Sequence, residues 1–182
     1  MSTTETTTLA PAGTWSSDPV HSVVGFEISY LAGTFKGQFR DASATLTVSD
    51  DGHSTLEGTA EVASVDVKDE NLNAHLQSPD FFDAESFPQL TFKAEDVAVD
   101  GDRVTANGEI TIRGVTRPVT VTGTATPLIE DPWGNQRLGV TFTASVDRTD
   151  FGVSWNNPLP SGEASLANDV AIVAELQLVK AA

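Results

Sequence analysis

The sequence predicts an all-β fold: an eight-stranded antiparallel β-barrel with one short helix near 69–78, built as a single domain over residues 13–182. Three observations carry the prediction. Apolar and polar side chains alternate with period two through nearly all of residues 20–180, as half-buried strands require and a helix does not allow. The breaks between runs hold Asp, Gly, Asn and Pro, the residues of tight turns between antiparallel neighbours. Most connections are short, which favours a meander over parallel strands with crossover helices, and closing the meander removes edges that would invite aggregation.

Eight segments are expected, near 20–31, 34–49, 54–67, 89–99, 103–114, 117–129, 136–148 and 168–180. The first two set Phe26, Ile28 and Tyr30, then Gly37 and Phe39, in the apolar phase. Asp50-Asp51-Gly52 turns into the third, with Gly58 and Ala60 in phase. The alternation then breaks. From Asp69 to Pro79, Leu72 and Leu76 stand at i, i+4 behind acidic first-turn residues that suit a helix N-terminus, and Pro79 ends the helix. Asp80-Phe81-Phe82-Asp83 and Phe87-Pro88 follow, so helix and aromatic loop are expected over one barrel end, as a structural plug or as a lid over a ligand. Phe92 belongs to the fourth segment. Asp100-Gly101-Asp102 leads to the fifth, Val104 to Arg113, whose even positions are all apolar or small and whose odd positions are all polar. Gly114 to Pro118 reads as a turn, after which Val119, Val121, Gly123 and Ala125 alternate with threonines. Asp131-Pro132-Trp133-Gly134-Asn135 leads to Leu138, Val140, Phe142, Ala144 and Val146, and the last run sets Val170, Ile172, Ala174, Leu176 and Leu178 on one face.

Composition narrows the function. Ten Lys and Arg stand against 26 Asp and Glu, and a formal charge of −16 repels nucleic acid phosphates and anionic membrane surfaces. The absence of cysteine excludes disulfides and thiolate metal sites and fits either redox compartment. Residues 1–12 are Ser/Thr-rich with neither a basic nor an apolar signal region, so they are expected to form a disordered tail on a cytoplasmic protein. No apolar run approaches the roughly 20 residues of a membrane helix.

An eight-stranded barrel is wide enough to be filled by its own side chains or to hold one small ligand, so the size of the inward residues decides. Gly37, Gly58, Ala60, Ala106, Gly108, Gly123, Ala125, Ala144 and Ala174 fall in the apolar phase beside large aromatic and branched residues. Glycines also serve the bulges and bends that close any barrel, whereas alanines have no such role, and together the small residues favour a cavity. In the inward phase Ser64, Asp66 and Tyr30 are the main polar groups. Such a space suits a hydrocarbon chain. Each buried methylene contributes about 0.8 kcal/mol, so a few isoprene-sized units exceed the roughly 4–15 kcal/mol cost of association. The residues expected to contact it are Phe26, Ile28, Tyr30, Phe39, Leu76, Phe81, Phe92, Ile112, Phe142, Arg148, Ile172 and Leu176.

Several motifs in order resemble the YceI-like family of polyisoprenoid-binding, lipocalin-like proteins. They are Asp18-Pro19-Val20-His21-Ser22-Val23-Val24-Gly25-Phe26, Gly37-Gln38-Phe39, Ser64-Val65-Asp66, His75 to Asp83 with Phe87-Pro88 and Phe92, Gly108 to Thr116, and Arg148 to Val153. The resemblance implies an eight-stranded antiparallel lipocalin-like barrel with a polyprenyl or quinone-type chain threaded in its interior. Members often carry a secretory signal, which residues 1–12 do not resemble, and many have a histidine where this chain has Tyr30.

His21, His53 and His75 lie on different segments without metal-site spacing, and no metal is expected. His21 is expected to satisfy local backbone at the rim and His53 to be solvated, while His75 faces the cavity mouth or bonds the neighbouring loop. Nucleophilic catalysis has no cysteine, no Gly-x-Ser-x-Gly elbow and no evident Ser–His pair. In Asp147-Arg148-Thr149-Asp150, Arg148 pins the strand end by an ion pair or meets a phosphate or carbonyl head group. The function expected is non-catalytic carriage or sequestration of a long-chain isoprenoid or related lipid, with no cofactor beyond a bound isoprenoid or quinone-type lipid and with a homodimer possible. The rival readings are a hydrolase or other enzyme acting on a lipid-like substrate through Asp147 and Asp150, and a filled barrel serving as an interaction module.

Overall fold

The computed structural model describes residues 7–182. The strands are β1 (Gly13–Ser17), β2 (Val23–Tyr30), β3 (Gly33–Phe39), β4 (Ala42–Val48), β5 (Ser54–Glu61), β6 (Val65–Asp66), β7 (Gln89–Glu95), β8 (Ala98–Asp100), β9 (Arg103–Ile112), β10 (Val115–Ala125), β11 (Ile129–Glu130), β12 (Gln136–Asp147) and β13 (Leu166–Lys180). Helix α1 (Glu70–Gln77) stands between β6 and β7, and a helical turn, Arg148–Phe151, follows β12.

Eight antiparallel strand positions close into one ring, in the order β13, β12, β10, β9, β7, β5, β4, β1 and back to β13. β13 carries the closure. Along one edge it pairs with β12 from Val179 to Asp169; along the other it meets β1 at Leu178–Lys180 and β2 between Leu166 and Glu175. β1 and β2 are therefore two pieces of one strand position, and β3 and β4 are two pieces of the next. The eight expected segments are these positions, with corrections at their ends. The first position begins at Gly13, and Asp18 to Ser22 is a turn inside it. The expected 34–49 run breaks at Arg40 and Asp41. The expected turn from Gly114 to Pro118 shrinks to Arg113-Gly114, both at positive φ (51° and 71°), and Pro118 lies within β10 opposite Glu109. A two-residue hairpin with both central residues left-handed matches the twist of its strands.

The interior divides into two ends. At one, Trp15, Leu46 and Leu178 are fully buried and pack with Leu56, Val104, Ala106, Leu138 and Val140 into a filled core. Of the expected tail, residues 1–6 lie outside the described residues, while Ala10 is buried on this core and Pro11 accepts a hydrogen bond from Trp15 Nε1 at 3.0 Å. At the other end the inward residues of β7, β12 and β13, among them Leu90, Phe92, Ala144, Val146, Val170 and Ile172, are only half-buried, although they follow the same inward phase. They face a void.

Outside the filled end, Arg137 Nη1 donates to Asp18 Oδ2 at 2.8 Å and to Gln177 Oε1 at 3.0 Å, and Nη2 reaches Asp131 Oδ2 at 3.2 Å. This knot ties the interrupted first strand to β12 and to the turn before it. The Asp18 carboxyl is held well below the usual carboxylate range, first by Arg137 and then by His21, whose Nδ1 lies 2.8 Å away. A depressed folded-state pKa stabilises the fold fully above the unfolded value of 3.8, and the contribution is lost as pH falls below it. Arg137→Met is therefore expected to lower the melting temperature by about 5 °C at neutral pH. Thermal unfolding followed by circular dichroism between pH 7 and pH 3 should show the gap from wild type narrowing as the acid limb is crossed.

Candidate functional site

The void is a chamber of about 290 Å³, closed below by the filled core. All twelve residues expected to contact a ligand line it. Phe26 and Ile28 come from β2, Phe39 from β3, Phe92 from β7, Ile112 from β9, Phe142 from β12, and Ile172 and Leu176 from β13. Tyr30 ends β2 near the mouth. Leu76 and Phe81 descend from α1 and its loop, and Arg148 stands at the end of β12. A lining this apolar offers water few partners and favours apolar guests.

The small inward residues do two jobs. A Cβ at Gly58 would meet nothing closer than Ser43 O at 3.7 Å, so this glycine and Ala60, Ala144 and Ala174 leave room in the chamber. At Gly123 a Cβ would fall 1.6 Å from Thr141 O, so there the glycine lets strands approach. Gly108 does the same against Lys93 O, Gly37 makes room for the Phe26 ring, and Ala106 packs in the filled core. Ser64 and Asp66, expected inward, are not in the lining. Ser64 Oγ bonds Glu61 O at 2.6 Å, and Asp66 pairs with Arg40 at 2.6 Å on the exterior, because the chain turns at Val62 and breaks the strand's phase.

Helix α1 is set by Asp69, whose side chain accepts from Leu72 N at 3.0 Å, and it buries Leu76 toward the chamber. Its Asn73 side chain accepts from Val67 N at 2.8 Å, anchoring the helix to β6. The aromatic loop folds back over the mouth. Phe82 packs edge-on to Phe39 at 5.6 Å and to Phe26 at 6.0 Å, while Phe81 and His75 meet edge-on at 4.9 Å. His75 Nε2 lies 3.0 Å from Asp80 Oδ2. His21 binds Asp18, and His53 pairs with Asp96 at 2.9 Å while remaining largely solvated. Among the described residues no cluster of His, Cys, Asp or Glu could hold a metal ion.

Arg148 is buried, and its partners are backbone. Nε donates to Ala167 O at 2.8 Å, and Nη1 to Val153 O and Trp155 O at 3.0 and 2.8 Å. It staples the loop between the helical turn and β13, and among the described residues no carboxylate forms the ion pair expected of it. Burial lowers its pKa, with Asp147 opposing. Asp147 itself caps the turn, accepting from Thr149 N and Oγ1, which holds its carboxyl below the usual value, the opposite of a general acid. Across the mouth, Arg113 Nη1 reaches Pro79 O and Phe81 O at 3.0 Å and Gly152 O at 3.3 Å, joining the aromatic loop to the turn. Phe151 is buried with Ile110, Ile112 and Val119 where β10 and β12 part, beyond the last pair at Thr122 and Thr143.

Sequence reasoning missed Phe82, Val119, Phe151, Val153, Trp155 and Leu166, all of which line the chamber. Four of them sit in or beside the non-strand stretch after Asp147, where period two gives no phase. The signal available was Phe151, Val153 and Trp155 clustered in a segment otherwise polar.

Fold and chamber together define an antiparallel β-barrel with one filled end and one apolar, aromatic-capped chamber. The family model for the YceI-like domain matches residues 15–178, and the chain belongs to that family. Protein YceI of Shigella flexneri is 31% identical over 149 residues, spanning 80% of this chain and 78% of that protein. BcnA of Burkholderia cenocepacia superposes with a TM-score of 0.75 at 24% identity, over 88% of this chain and 98% of that one. A polyisoprenoid binding domain from Saccharophagus degradans, implicated in plant cell wall breakdown, superposes with a TM-score of 0.68 at 15% identity over 92% and 98%. The solved structures share the fold.

Removing the Arg148 staple tests its role. Arg148→Met leaves the carbonyls of Val153, Trp155 and Ala167 without their donor and is expected to raise limited proteolysis within 152–165 by about tenfold, with strand content by circular dichroism unchanged.

Proposed function

We propose that the protein binds and carries, or sequesters, a long-chain isoprenoid or related lipid without transforming it, the tail lying in the chamber. The observation that carries this reading is the apolar chamber of about 290 Å³ set above a packed core, a shape that accepts a chain from one end only. Polyisoprenoid binding, named for the Saccharophagus degradans domain, supports it. Nothing favours the enzymatic alternative: Asp147 is engaged as a cap and Asp150 is exposed.

Protein purified without detergent, extracted with organic solvent and read by mass spectrometry, is expected to yield a lipid or to take up an added polyprenyl or quinone ligand; neither occurring would sink the proposal. A second variant probes the chamber itself. A Cβ at Gly58 makes only ordinary contacts and the residue lines the chamber, so Gly58→Phe is expected to keep the wild-type melting temperature while weakening uptake of the same ligand by about tenfold.

A further inference from the structure

We propose that the chamber mouth selects a neutral, hydroxyl-bearing head group, such as a prenyl alcohol or a hydroquinone, over a diphosphate. This rests on the reading that the tail fills the chamber. Two kinds of observation carry it, the first being the free polar atoms. His75 lines the chamber, and its ring is held on three sides: by Asp80 at Nε2, by Phe81 edge-on at 4.9 Å, and by Trp155 at 5.0 Å and 90°. When the ring is neutral, the Asp80 carboxylate at Nε2 selects the tautomer that carries its proton there. Nδ1, which has no protein partner among the described residues, is left as an acceptor. Tyr30 lines the same chamber, and its hydroxyl likewise has no protein partner among the described residues. An acceptor and a hydroxyl suit a ligand hydroxyl, which both donates and accepts.

The second is charge. A diphosphate needs cations to balance it, and the two arginines at this end spend donors on backbone. Arg148 gives Nε and Nη1 to the Ala167, Val153 and Trp155 carbonyls, and Arg113 gives Nη1 to the Pro79, Phe81 and Gly152 carbonyls. The segments around them add six acids, Asp69, Glu70, Asp80, Asp83, Asp147 and Asp150, which outnumber the two arginines and Lys68 beside Asp69, on a chain of net charge −16. A multiply charged anion placed there meets a repulsive field. A neutral head meets none.

The test keeps the tail constant and varies the head. Geranylgeraniol and geranylgeranyl diphosphate are titrated into the full chain and into His75→Phe, which keeps the aromatic contacts and removes the ring nitrogens. The expected result is that wild type binds the alcohol at least about tenfold tighter than the diphosphate, and that His75→Phe loses about tenfold for the alcohol alone. His75→Gln, which restores a side-chain acceptor, should recover part of the loss, with melting curves confirming that each variant is folded. Equal binding of the two heads, tighter binding of the diphosphate, or indifference of the alcohol to both variants overturns the selection while leaving tail binding intact. Failure of both probes to bind wild type overturns the tail reading and this inference with it.

Discussion

Closure through β13 is the constraint on which the rest depends. One strand must satisfy β12 along one edge and both β1 and β2 along the other, and these pairings fix which face of every neighbouring strand looks inward. Because side chains alternate with period two, a slip by one residue on β13 would exchange Ala174, Leu176 and Leu178 for Glu175 and Gln177 on the inner face. The register is thus enforced by burial at the filled end, where Leu178 is wholly covered, and the hollow end inherits it. The closed ring also pairs most strand edges, leaving open the stretch of β10 before Thr122, which Phe151 covers in part, and the outer edge of β3 before Gln38.

Stability and cavity are separated along the barrel axis. Trp15, Leu46, Leu138, Val140 and Leu178 provide the dense packing at one end, and the other end forgoes it. On a scale of about 24 cal/mol per Å³ of residual cavity, a void of about 290 Å³ costs several kcal/mol in lost contacts, a large share of a typical domain's net stability. An apolar guest restores those contacts. The occupied barrel is therefore the better-packed state, and tail affinity and fold stability draw on the same contacts.

Period two was sufficient to place eight strand positions, the inward phase and the nine chamber residues that lie on strands, because strands in a closed barrel obey it over most of their length; Leu76 and Phe81 came from the helical spacing and the aromatic loop that interrupt it. It did not reveal β1, whose five residues are too few to establish a phase, although Trp15 is the largest fully buried side chain. Nor did it reveal that Arg148 turns inward to carbonyls. A guanidinium between Asp147 and Asp150 reads as an ion pair in one dimension, but the helical turn points both acids away and the long loop returns its carbonyls instead. Glycines were ambiguous for a similar reason: Gly58 and Gly123 occupy the same phase, and only the distance to the neighbouring strand separates a residue that makes space from one that permits contact.

The placement of arginine links loop order to access. With ten basic residues against 26 acids, Arg137, Arg113 and Arg148 each join chain segments that strand pairing does not hold, and the last two do so at the mouth. Arg148 fixes the carbonyl of Trp155, and the Trp155 ring in turn closes on His75 and Phe81. A ligand entering between strands would have to break ladder hydrogen bonds or displace buried Phe151 from the parting of β10 and β12. Entry through the cap needs only the separation of edge-on aromatic contacts worth about 0.5–1.5 kcal/mol each beyond their buried area, with both arginine staples left in place. The cap is the weakest part of the chamber wall, and under the proposed reading the residues that would part to admit a tail are the same ones that would face its head.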